Sequence, residues 1–112
     1  MNIRPITHAD FIEMTGDAPT HSLRGYACEH EDRIIGIAGV LHSRPLIAFS
    51  LLKPEIKSNR RVIVEAIKRF RDLLKSYDAQ IIAIPDEREE TANRFLKHVG
   101  FKLDGGYFVW DQ

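Results

Sequence analysis

The chain has 112 residues, enough for one domain that buries about two thirds of the surface its unfolded form exposes. Lys plus Arg balance Asp plus Glu at 16 each, which leaves no overall field to draw the protein to nucleic acid or to an anionic membrane. Apolar residues at 44% with charged residues at 29% exclude the disordered and fibrous classes.

No apolar run approaches a membrane span, and the polar start MNIRPITHAD has no signal-peptide core, so a cytoplasmic location is expected. The single cysteine, Cys28, excludes an intramolecular disulfide and a cysteine-built zinc site. It reads as a small buried thiol in a strand.

In chain order, Ile3 to Ile6 reads as a short strand, and Pro5, which cannot donate to a ladder, favours an edge or a strand end. Thr7 to Asp10 offers N-cap oxygens for a short helix through Phe11, Ile12 and Met14 that stops near Gly16. Asp17 to Leu23 is loop-like. Tyr26 to Glu29 and Ile34 to Leu41 are strands joined by the polar tetrapeptide His30-Glu31-Asp32-Arg33, a hairpin, and Gly36 and Gly39 mark either a bulge or a close backbone approach. After Ser43-Arg44-Pro45, the run Leu46 to Leu52 lacks polar alternation and reads as a central strand buried on both faces.

A helix from about Asn59 carries Ile63, Ala66, Ile67, Phe70, Leu73, Leu74 and Tyr77 on one stripe, with Glu65–Arg69 and Lys68–Asp72 as i,i+4 pairs on the other face. Gln80 to Ile84 follows as a strand, and the strand–helix–strand order predicts parallel pairing with a right-handed crossover. Pro85 to Glu90 is a charged loop. Thr91 to Val99 is a helix capped by Gly100, and Phe101 to Leu103 and Tyr107 to Trp110 form a hairpin across Asp104-Gly105-Gly106. The class is α/β (α+β): a single domain with a mixed, mostly antiparallel central sheet and helices on both faces.

The stretch Ile47 to Phe70 draws the chemistry together, because a strand running through a loop into a helix leaves backbone N–H groups free to meet an anion such as phosphate. Elsewhere the signals are negative. His8, His21, His30 and His98 show no metal-ligand spacing, no serine sits in a nucleophile elbow, and no P-loop or dinucleotide fingerprint is present.

This order of elements, together with ETANRFLKHVGF at Glu90 to Phe101, resembles the GNAT superfamily of N-acetyltransferases. The resemblance implies acetyl-CoA as cofactor, inserted where the fourth and fifth strands splay apart. It implies pantetheine pairing with the backbone of Ser50, Leu51 and Leu52, and a pyrophosphate at Lys57, Ser58, Asn59, Arg60, Arg61 and Val62, with Asn93 and Phe95 of the penultimate helix also at the cofactor. In the family that loop reads Gln/Arg-x-x-Gly-x-Gly/Ala. Here Arg60 and Val62 replace the two small residues, whose lack of a Cβ lets backbone approach phosphate. Leu96 stands where the family often has a proton-donating tyrosine.

Transfer to an amine needs a proton acceptor and a donor for the leaving thiolate. His42 and Glu29 are the candidate bases and Tyr107 the candidate acid. A small-molecule or peptide amine is the implied partner. A narrower likeness, in Arg94-Phe95-Leu96-Lys97 and the Lys-Ser-Tyr-Asp that ends the preceding helix, is to short GNAT-like proteins of short-tailed phages. It implies an alternative, a non-catalytic assembly module with a homo-oligomeric or virion partner.

Overall fold

The structure, a computed structural model, describes residues 1–85 and 90–111. Its elements are β1 (Asn2–Pro5), α1 (His8–Thr15), β2 (Leu23–His30), β3 (Arg33–Leu41), β4 (Leu46–Leu52), a 3₁₀ turn (Pro54–Ser58), α2 (Arg60–Lys75), β5 (Ile81–Ala83), α3 (Glu90–Val99), β6 (Lys102–Asp104) and β7 (Tyr107–Trp110). One sheet runs in the order β1-β2-β3-β4-β5-β7-β6. Each neighbouring pair is antiparallel except β4 and β5, which are parallel as their link through a helix predicts.

The two faces of the sheet are covered by different helices. On one, Phe11 and Met14 of α1 pack with Ala27, Ile34, Ile37, Phe49 and Leu51. On the other, Phe70, Leu73 and Leu74 of α2 and Phe95, Leu96 and Val99 of α3 pack over Val40, Ala48, Ile81 and Phe108. Each fully buried Val, Leu, Ile or Phe among them contributes about 1.5–3 kcal/mol by leaving water. β4 is central, and its alternate residues serve the two faces, Ala48 against α2 and α3 and Phe49 against Phe11 edge-on at 5.3 Å.

Both readings of the β3 glycines are realised, each at a different residue. The β2–β3 register shifts at Cys28/Glu29, so that Cys28 faces Gly36 and Glu29 faces Ile34. Gly39 is the close approach: a Cβ there would meet the Arg24 carbonyl and fall 2.8 Å from the Phe49 ring. Cys28 is buried, and burial pushes its thiol up.

Several boundaries move, for physical reasons. β2 begins at Leu23, because it is paired by β3 from that residue on although its first residues lack an apolar pattern. The segment between β4 and α2, expected as a polar loop, is a 3₁₀ turn that buries Ile56 against Cys28, Ile35 and Val62. α2 stops at Lys75, leaving Tyr77 packed against the core beyond the helix. β5 keeps only Ile81–Ala83 and Ile84 is exposed. β6 starts one residue late, with Phe101 buried under the end of α3. Glu65–Arg69 forms at 2.9 Å, whereas Lys68–Asp72 is not among the ion pairs of the described residues. Of the charged loop expected at Pro85 to Glu90, residues 86–89 lie outside the described residues.

Candidate functional site

β4 and β5 pair only at Leu46 opposite Ile81 and Ile47 opposite Ile82. β4 then continues to Leu52 with its other edge fully engaged by β3, down to Gly36 opposite Leu52. From Ala48 onward its β5-side edge therefore has no strand partner among the described residues. The first turn of α3 approaches this opening, where the Ser50 hydroxyl reaches the Ala92 carbonyl at 3.5 Å.

Two cavities flank the end of β4. One, of about 490 Å³ on the α1 side, is lined by Met14, Leu51, Lys53 and Glu90. The other, of about 200 Å³ between α2 and α3, has Ile63, Ile67 and Phe95 on its apolar surface and Arg94 and His98 among its polar residues. Leu52, Lys57 and Thr91 line both, so the two meet at the mouth of the strand gap.

The loop residues expected at a pyrophosphate are sorted by the 3₁₀ turn. The Asn59 side chain caps α2 by accepting from the Val62 amide at 3.1 Å, and the Ser58 hydroxyl donates to the Glu55 carbonyl at 2.9 Å. Val62 turns its side chain inward and is only 9% exposed, while Lys57, Arg60 and Arg61 are exposed. On α3, Phe95 is buried and stacks on Phe70 with ring centroids 5.9 Å apart, Asn93 is half-buried, and Leu96 lies in the main core.

The acid–base candidates do not converge. His42 follows the end of β3, at the closed end of the strand gap. Both its ring nitrogens are engaged, Nδ1 with the Ser22 hydroxyl at 2.9 Å and Nε2 with the Tyr77 hydroxyl at 2.7 Å. Burial pushes that tyrosine up. Glu29 lies two strands from β4 and accepts from Arg4 at 3.4 Å, while the same guanidinium forks onto Asp10 at 2.7 and 2.9 Å. Tyr107 is 48% exposed at the start of β7. Because Phe108 pairs with Ala83, Tyr107 lies one residue beyond the paired end of β5, and it lines neither cavity.

Glu90, Thr91, Arg94 and His98 line the cavities, and none of the four is among the site residues expected from the sequence. Their signal is spacing: Thr91, Arg94, Phe95 and His98 recur at three and four residues, one face of a helix. Ile63 and Ile67, expected in the core stripe, are half-buried and line the groove. No group of His, Cys, Asp and Glu among the described residues could hold a metal ion.

No protein-family model matches the chain, and no curated protein matches it. Solved structures do. The aminoglycoside acetyltransferase AAC(6′)-Ib in complex with coenzyme A is 16% identical at a TM-score of 0.62, over 99% of this chain and 94% of that one. The smu.2055 protein from Streptococcus mutans UA159 is 15% identical at 0.63, over 99% of each chain. An acetyltransferase of the GNAT family from Streptococcus pneumoniae is 12% identical at 0.59, over 96% of this chain and 95% of that one. The fold of this protein is therefore the GNAT fold, as the order of its elements predicts.

Proposed function

We propose that the protein is an acetyl-CoA-dependent N-acetyltransferase acting on a small amine. The observation that carries this reading is the early divergence of β4 from β5, which leaves a row of backbone groups facing a gap that opens into the groove between α2 and α3. An apolar trough with cations at its rim suits a ligand with a slender uncharged arm and phosphates at its end. Proteins of the same fold include AAC(6′)-Ib solved with coenzyme A and kanamycin and a spermidine N-acetyltransferase chimera, which supports a small-molecule amine as acceptor.

Bound acetyl-CoA supplies a thioester as acyl donor. The edge of Ser50, Leu51 and Leu52 would hold its arm by backbone hydrogen bonds, and the cavity on the α1 side would admit the amine. As the amine nitrogen bonds to the acyl carbon the carbon–sulfur bond breaks, so the nitrogen must lose a proton and the sulfur gain one. His42 and Glu29 do not line the cavity and Glu90 does, so the accepting role falls to Glu90, acting through water, and the donating role to Tyr107. Calorimetry with acetyl-CoA followed by thiol release against primary amines tests the reading. Binding and turnover are expected, with kcat falling about 100-fold in Tyr107→Phe. Absence of binding at millimolar acetyl-CoA overturns it.

The alternative of a non-catalytic assembly module, implied by the likeness to short-tailed-phage proteins, has one observation on its side. Asn59 occupies an amide that a pyrophosphate would otherwise take. A protein that self-associates and binds no acetyl-CoA would be that module.

A further inference from the structure

The α2 N-terminus of this chain is poorly made for a diphosphate. Its Val62 amide is satisfied by Asn59, its Ile63 amide by the Asn59 carbonyl, and the Val62 side chain belongs to the core. Basic side chains are instead gathered on the rim of the groove between the helices. Arg94 and His98 lie one turn apart on the same face of α3, Lys57 lies across from them, and all three are exposed. No carboxylate lines this groove among the described residues. Among the described residues the acid paired with the set is Glu90, 3.1 Å from the Arg94 guanidinium, in an i,i+4 pair so open to water that it holds Arg94 weakly.

The C-terminal end of a helix ordinarily repels anions, and His98 sits there. In this chain that end is neutralised from outside: the Arg71 guanidinium of α2 donates to the Val99 carbonyl at 2.9 Å and to the His98 carbonyl at 3.0 Å. Arg94 and His98 of α3 and Lys57 of the 3₁₀ turn thus line an apolar groove, with Arg71 of α2 bound to the carbonyls that end α3.

We propose that Arg94 and His98, with Lys57, bind the phosphate groups of the acyl donor through their side chains, in place of the backbone amides at the start of α2. This rests on the acetyl-CoA reading above. The guanidinium offers paired N–H donors to phosphate oxygens and Lys57 a point charge, so recognition is charge-assisted and carried by residues of the penultimate helix. It also explains how Arg60 and Val62 can stand where small residues would allow backbone contact, since the phosphates are moved away from that backbone.

The test is calorimetry on the full chain with acetyl-CoA, 3′-dephospho-coenzyme A and S-acetylpantetheine, for the wild type, Arg94→Gln, His98→Gln, the double variant and Arg94→Lys. The replaced side chains are exposed, and melting curves check that each variant is folded. Acetyl-CoA affinity is expected to fall about tenfold in Arg94→Gln and further in the double variant, with partial recovery in Arg94→Lys and no change toward S-acetylpantetheine. Variants that bind acetyl-CoA as the wild type does overturn the side-chain clamp and leave the acetyltransferase reading standing. Equal losses toward S-acetylpantetheine also overturn it, by showing that the residues shape the groove rather than hold phosphate. A wild type that binds no acetyl-CoA overturns both.

Discussion

Asp10 shows how one side chain gathers several roles. It is buried, receives the Arg4 guanidinium through both oxygens, and as the third residue of α1 accepts from the Thr7 amide at 2.8 Å while the Thr7 hydroxyl accepts from its own amide at 3.2 Å. The Arg4 hydrogen bonds, aided by Thr7 and opposed by burial, hold its carboxyl below the usual carboxylate range. A carboxyl that ionises more readily folded than unfolded stabilises the fold above its unfolded pKa of about 3.9 and loses that contribution as pH falls through and below that value. Asp10→Asn should therefore be less stable than the wild type at neutral pH, by about 1–3 kcal/mol, with the difference shrinking in urea melts below pH 4. The Thr7–Asp10 cap was legible as spacing. Its bond to Arg4 was not, because no local pattern marks a strand residue as the partner of a helix carboxylate six positions on.

At the scale of the element, the 3₁₀ turn decides the chemistry of the β4–α2 connection. Lys53 begins it by donating its amide to the Ile35 carbonyl, Ile56 fills the space beside Gly36, and Asn59 caps the helix. With the turn held in this way, Val62 points into the core. Replacing it by glycine to imitate the small residue of the family pattern would remove core packing and put glycine in the first turn of α2. The expected outcome of Val62→Gly is a loss of about 2–4 kcal/mol in denaturant unfolding and no gain in acetyl-CoA affinity. In the sequence, polarity alone marks the charged tetrapeptide from His30 to Arg33 as a hairpin. The turn itself is Glu31-Asp32, both at positive φ, the backbone that a two-residue β-turn demands.

For the whole molecule, the sheet behaves as two parts, β1 to β4 and β5-β7-β6, joined by two paired residues on β4 and by the helices laid across them. A ligand inserted in the gap would join the parts and bind only the folded chain. At one hundred times its Kd it would stabilise the fold by about 2.7 kcal/mol, a rise in Tm of about 10 °C in a thermal melt. Coenzyme A should do nearly as well as acetyl-CoA, since most of the contacts lie along the arm and phosphates. No helix among the described residues is long and apolar enough to cross a membrane.

Periodicity along the chain determined the helices, the central strand, the terminal hairpin and the parallel crossover, because each follows from residues that are neighbours in sequence. It also pointed to the strand–loop–helix of residues 47–70 as the place to look for an anion site. Tertiary structure alone decided that β4 and β5 part after two pairs, that Ile56 and Val62 turn inward, and that Arg94 and His98 face Lys57 across a groove. These depend on segments some 35 residues apart meeting in space, where burial and hydrogen-bond satisfaction choose among local options that the sequence pattern leaves equal.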